Sequence, residues 1–282
     1  MSGQESAAET ALLAAVRETG ACPPRGTQSI RRALQILRII AAGRESGVLM
    51  QDIVALTGLA RPTCHRILSL LVEEGIIERK SRTRRYAIGV QIPHLALARS
   101  TDSPLIEAAK AYLDRAAESI GDTTFLTIRS KNDTLCIARR IGRFPVQVLA
   151  LEVGGRRPLG VSSAGIAMLS HLPPESVFAI IGCNERRLSD YEMTIERVLT
   201  EVDDARYKGY ALRKRGLIPG TMAASVVLDS GDDEALAAIT IAAVRQRFTG
   251  KRFTSVIEFL MQSKEEIERC LHQETDLNKV SM

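Results

Sequence analysis

The apolar positions of the first third of the chain recur at helical intervals and stop at glycines. In SIRRALQILRIIA (29–41), Ile30, Leu34, Leu37 and Ile40/Ala41 fall on one face, with Ser29 as N-cap and Gly43 as stop. MQDIVALT (50–57) predicts a short second helix, apolar at Met50, Ile53, Val54 and Leu56, ended by Gly58 and without a capping side chain at Leu49. Pro62 opens a third helix at its first position, where the missing N–H costs nothing. Cys64, Ile67, Leu68 and Leu71 form its inner stripe, and Gly75 stops it. The period then changes to two. Ile76–Arg79 and Arg84–Ile88 predict a hairpin with Lys80, Ser81, Arg82 and Thr83 at its tip.

Further along, QIPHLALARS (91–100) predicts a connecting helix with Pro93 in its first turn, and Pro104 opens a helix stopped by Gly121. TTFLTIRS and TLCIARRI flank a turn at Lys131–Asp133, and VQVLALEV (146–153) alternates enough to predict a strand before Gly154–Gly155. Helices follow at 162–172, from Pro173–Pro174 to Ile181, and at Tyr191–Lys208, the last with Ile195, Val198, Leu199, Val202 and Ala205 inward. Strand patterns at 210–213, 221–228 and 236–244 precede a closing helix over Phe253–Leu271, apolar at Val256, Ile257, Leu260, Ile267 and Leu271. Grouped strands with helices between them predict an α+β fold around an antiparallel sheet. The expected division is an N-terminal extension (1–26, disordered or helical), a winged helix-turn-helix (27–89), a linker helix (90–103), a larger domain (104–273) and a tail (274–282).

Charge changes this picture. Residues 25–89 hold 12 Lys/Arg against 5 Asp/Glu, five of the cations falling within 79–85, whereas residues 90–282 hold 25 of each. The positive excess of the whole chain lies in one segment, which points to a polyanion as partner for that segment alone. The third helix presents Arg61, Thr63, His65 and Arg66 away from its inner stripe, the short polar and cationic set that a major groove accepts. Arg82, Arg84 and Arg85 on the hairpin suit phosphates. A solvated charged face on a small bundle is the alternative.

Chemistry for a reaction is thin. The five cysteines are odd in number and scattered without a CxxC, which suits reduced thiols and neither a disulfide framework nor a metal site. Gly160–Val161–Ser162–Ser163–Ala164 falls one glycine short of a nucleophile elbow, and no phosphate-binding glycine loop occurs. No catalytic residue and no cofactor is expected. Glu5 and Glu9 precede a short apolar stretch with no basic run before it, so a cytoplasmic chain without membrane contact is expected.

SIRRALQILRII, LMQDIVALTGLARPTCHRILSLLVEEGIIER and RRYAIG together resemble the winged helix of the IclR-type bacterial transcriptional regulators. VGGRRPLGVSSAGIAMLSHLP, KGYALRKRGLIPGTMAASVV and ALAAITIAAV resemble that family's effector domain, so the likeness runs in order over roughly residues 27–272. The resemblance implies a profilin-like or GAF-like effector-binding domain behind the DNA reader, a homodimer or tetramer on a palindromic double-stranded operator, and a small organic effector. By position it implies effector contacts at Ser163, Ala164, Arg213, Ala223, Thr240 and Ala242. The chain departs from the family pattern at Gly160, where His is common, at Ala223 and Ala242, where Cys and Ser are common, and in the cations that follow Tyr210, where acids are common. Arg213 has two readings: solvent-facing, or inward and in need of an anion such as an effector carboxylate. The functional expectation is a ligand-responsive regulator, more often a repressor than an activator. An architectural DNA binder, or an enzyme with an incidental basic segment, is the competitor.

Overall fold

The computed structural model describes residues 27–43, 46–97, 104–214, 217–228 and 237–280; the expected N-terminal extension and the end of the linker lie outside them. The chain forms two compact units that part after Thr101.

In the first unit, α1 (Gln28–Ala42), α2 (Met50–Thr57) and α3 (Arg61–Glu73) precede a two-stranded wing, β1 (Ile77–Arg79) and β2 (Tyr86–Ile88), and then α4 (Gln91–Leu97). The apolar stripe expected on α1 is displaced. Ile36, Ile39 and Ile40 are the buried set, while Ile30 and Leu34 are 62% and 45% exposed and Ala41 is exposed too. Two apolar stripes overlap on this helix near Leu37 and Ile40. The one that is buried is the one facing Val48, Ile53, Leu68 and Tyr86. Each such isoleucine contributes about 1.5–3 kcal/mol on burial. Ser29 is not the cap either: the N-cap position falls two residues earlier, at Thr27, and α1 starts at Gln28. Val48 exchanges backbone hydrogen bonds with Tyr86 at 2.9 and 2.8 Å, adding a third short strand to the wing. Gly47 makes that approach possible, since it takes φ +67° and a Cβ would lie 2.8 Å from the Tyr86 carbonyl oxygen. The second wing strand starts at Tyr86 and not at Arg84, because Arg84 adopts a left-handed φ of +55° and donates its N–H to Lys80 O at 2.8 Å. A left-handed residue cannot sit in a ladder, so the tip is longer than the alternation suggests.

The second unit is built on a six-stranded antiparallel sheet. Its members are β3 (Thr123–Ser130), β4 (Asp133–Arg140), β5 (Arg156–Pro158), β6 (Ala211–Arg213), β7 (Thr221–Leu228) and β8 (Ala237–Val244), in the order β5-β4-β3-β8-β7-β6. Period-two alternation decides the layers. Met222, Ala224, Val226, Ile239 and Ile241 face α5 (Pro104–Ser119) and α9 (Gly250–Val280). Val227 and Ala238 face the layer of α6 (Ser163–Ser170), α7 (Pro174–Ser189) and α8 (Ile195–Lys208).

One strand and three helix boundaries differ from the sequence reading. Residues 146–153 form no strand, although Val148 and Leu151 point in and Val146, Leu149 and Val153 point out. The edge of β4 that they would pair with is occupied by β5, through Asp133↔Pro158 and Leu135↔Arg156. α7 runs past Ile181 to Ser189 because Asn184, fully buried, satisfies its amide on Asn132 O (2.8 Å) and Leu159 O (3.3 Å); a polar residue on the inner face had hidden the period. α8 begins at Ile195, where the Thr194 hydroxyl accepts from Arg197 N–H, and α9 continues to Val280 since neither Gly nor Pro follows Leu271.

Candidate functional site

The outer face of α3 carries Arg61, His65 and Arg66, all exposed, with Thr63 half-buried beside them. Cys64 and Leu68 hold the helix to the unit from the opposite side. The His65 ring nitrogen and Ser69 hydroxyl stand 3.4 Å apart. No Asp or Glu lies in the first turn of α3, and Arg61, Arg66, Arg82 and Arg84 have no acidic partner among the described residues. Their charge is therefore free to meet an outside anion. Arg82 and Arg84 are exposed on the wing tip. Arg85 is different, for its guanidinium donates to Gly47 O at 3.1 Å and is half-buried. The seven residues singled out in the sequence thus form two groups in one unit, four on a helix and three on a hairpin.

The other six candidates come together around one cavity. Ser163, Ala164, Arg213, Ala223, Thr240 and Ala242 all line it, within about 530 Å³ of empty space that is partly open to solvent, and the wall is overwhelmingly apolar. The alternation of β7 and β8 supplies three of them, Ala223, Thr240 and Ala242, whereas Val227 and Ala238 of the same alternation face the layer of α6, α7 and α8. Phe125, Thr127 and Thr221, which sequence reasoning missed, belong to the same alternation on β3 and β7 and were findable from it. Val148, Ala150 and Leu151 were not, because an irregular segment carries them. Ser162 caps α6 by accepting from Gly165 N–H at 3.1 Å, which aims the start of that helix at the cavity. The wall hydroxyls satisfy one another: Ser225 donates to Ser163 at 2.8 Å and lies 2.7 Å from Thr240. Gly160 takes φ +100°, which strains any larger residue, and a Cβ there would be 3.2 Å from Leu188 and Val198, which would have to give by a few tenths of an ångström.

Arg213 points inward and is 6% exposed, which removes the solvent-facing reading. Its guanidinium donates to Glu201 Oε2 at 3.3 Å, to Gly160 O at 3.4 Å and to Met193 Sδ at 2.8 Å. The anion it needs is supplied from α8. Burial pushes its pKa down from the ordinary guanidinium value, Glu201 pushes it back up, and Arg197 pushes it down again. It stays cationic all the same, since guanidinium does not deprotonate in proteins. Glu201 was read in the sequence only as the polar side of an amphipathic helix.

Two family models match the chain. The bacterial transcriptional regulator IclR C-terminal model covers residues 98–269, and the IclR helix-turn-helix model covers residues 29–81. The chain belongs to the IclR family of bacterial transcriptional regulators. It is a DNA-binding regulator and not an enzyme. Among its relatives is the HTH-type transcriptional regulator BhcR of Paracoccus denitrificans (strain Pd 1222), 27% identical over 252 residues and spanning 88% of each chain. The HTH-type transcriptional repressor AllR of Salmonella typhimurium is 25% identical over 252 residues, 88% of this chain and 91% of that one. In fold, an IclR homolog complexed with 4-hydroxybenzoate from Microbacterium hydrocarbonoxydans gives a TM-score of 0.71 at 23% identity over 87% of this chain and all of that one. An Alicyclobacillus acidocaldarius regulator of the family gives 0.71 at 19% identity, covering 86% and 98%. No helix among the described residues is long and apolar enough to cross a membrane.

Proposed function

We propose that this IclR-family chain represses a metabolic operon and that a small organic molecule seated in the cavity of the second unit controls its hold on DNA. The observation that carries this reading is the contrast between Arg61, Arg66, Arg82 and Arg84, which have no acidic partner among the described residues, and a mainly apolar cavity, partly open to solvent, lined by α6, β7 and β8. Repression is supported by the AllR relatives, which are named repressors, and control by a small molecule is supported by the 4-hydroxybenzoate complex of the Microbacterium homolog. In the proposed mode, Arg66 and Thr63, then Arg61 and His65, meet base edges, while Arg82 and Arg84 meet phosphates and Arg85 adds a weaker phosphate contact. A palindromic operator and a homodimer or tetramer complete the proposal. The exposed Ile30 and Leu34 on α1 form an apolar stripe suited to self-association.

An effector shifts the equilibrium only if it binds one arrangement of the paired DNA readers better than the other. The linker over 90–103 is the proposed element of change, since paired recognition helices must match about one helical turn of DNA or a multiple of it. The test is a gel shift at low ionic strength with the promoter fragments that flank the coding region, repeated with metabolites of the adjacent pathway. Retardation that one metabolite relieves is expected. Failure to retard any fragment sinks the reading, and retardation that no metabolite changes favours an architectural binder.

A further inference from the structure

The cavity wall offers a ligand very little polarity, and its one formal positive charge is already answered. Glu201 places Oε2 3.3 Å from Arg213 and Oε1 3.1 Å from Arg197, so a single carboxylate bridges a buried guanidinium and a half-exposed one. Arg213 lines the cavity and keeps 7% of its side chain in contact with solvent, while Glu201, 23% exposed, answers it from α8 without itself lining the cavity. A second carboxylate brought to Arg213 would have to leave water and share the guanidinium with Glu201 at close range. Burying a charge is costly unless it gains a partner of its own, and like charges at one site oppose each other. A carbonyl, amide or hydroxyl carries no such cost. It can accept from the start of α6 or exchange hydrogen bonds with the Ser163 and Thr240 hydroxyls at the wall.

We propose that Glu201 is a built-in counter-ion for Arg213 and restricts this cavity to effectors with an apolar body and an uncharged polar head. The proposal rests on the cavity being the effector site. It assigns Glu201 a specificity-determining role, because neutralising it takes away the carboxylate that competes with a ligand's own carboxylate for the Arg213 guanidinium.

Calorimetric titration of the full chain with toluene, benzamide and benzoate tests this, the three probes sharing one ring and differing in head group. The wild type is expected to bind benzamide more tightly than benzoate by about tenfold or more. In Glu201→Gln, which keeps the size of the side chain, the order is expected to reverse in favour of benzoate. Benzoate binding to the wild type as tightly as benzamide overturns the proposal even if the variant does not fold. An unchanged preference in a folded variant also overturns it. Failure of toluene and benzamide alike to bind the wild type overturns the proposal, while the effector reading stands or falls separately on the metabolite gel shifts.

Discussion

The two units use arginine in opposite ways. In the first, Arg61, Arg66, Arg82 and Arg84 face outward with no acidic partner among the described residues. In the second, arginines close on carboxylates that are buried at Asp122 and Asp133 and half-buried at Glu201. Arg247 and Arg252 grip Asp122 at 2.7 and 2.6 Å, Arg187 reaches Asp133 at 2.8 Å, and Arg213 reaches Glu201 at 3.3 Å. Asp122 is 1% exposed and fixes the start of β3 to the corner where β8 turns into α9. Paired charge holds a fold together; unpaired charge recruits an outside partner. The neutral balance of residues 90–282 and the excess in 25–89 are the same distinction seen as a sum.

The comparison breaks first at Asp122. Asp122→Ala strands two partly buried guanidiniums and is expected to destabilise the chain by about 3 kcal/mol or more, read by urea denaturation. Arg66→Ala, by contrast, is expected to leave stability within about 0.5 kcal/mol. If the two variants unfold alike, the contrast between paired and free arginines is wrong.

The next effect is smaller and sorts the free arginines. Arg66→Ala is expected to cost about 1–3 kcal/mol on the preferred DNA sequence and less on others, so that discrimination falls. Arg82→Ala is expected to weaken binding to all sequences evenly and to flatten the salt dependence by about one unit. Arg85→Ala should flatten it less, because that guanidinium is anchored to Gly47 O. Binding isotherms over a salt series on two unrelated fragments separate these outcomes.

The smallest effect is expected where an arginine pair is exposed. The Tyr112 hydroxyl, the Arg115 guanidinium and the Gln262 amide donate to Glu266 and hold its carboxyl down at about 2, while burial and that carboxylate push Tyr112 up to about 12. A depressed acid contributes stability above its unfolded pKa of about 4.3 and loses it as pH falls toward the folded value. A raised tyrosine costs stability as pH climbs past about 10, where only the unfolded form ionises. Glu266→Gln should therefore make both limbs of the stability–pH curve shallower, only slightly, because Arg115 and Glu266 remain open to solvent screening. An unchanged curve would remove this pair from the account.

How much of this was legible in the sequence depended on whether the cause was local. Helix stops at Gly58 and Gly75, the alternation of 123–130 and 221–228, and the divided charge are properties of neighbouring residues, and all three located elements or faces. The six cavity residues were placed through a family likeness, and the sheet alternation then brought them to one wall. Reading failed where two local patterns competed or where a distant residue decided. Ile30 and Leu34 read as internal and Ile36 and Ile39 were passed over, and only the position of Val48, Ile53 and Leu68 decided which stripe is buried. Residues 146–153 looked like a strand, and the prior claim of Arg156–Pro158 on β4 denied them a partner.

By itself, then, the sequence determined the two-part organisation, the order of the helices and of every strand but β5, and the concentration of positive charge on one segment. Each follows from periodicity, turn residues and composition, which act over a few neighbouring positions. Tertiary structure alone decided that Arg213 turns inward and that its counter-charge is Glu201, twelve residues earlier on another element. Charge pairing in a low-dielectric interior depends on which side chains meet in space, and no pattern along the chain encodes that meeting.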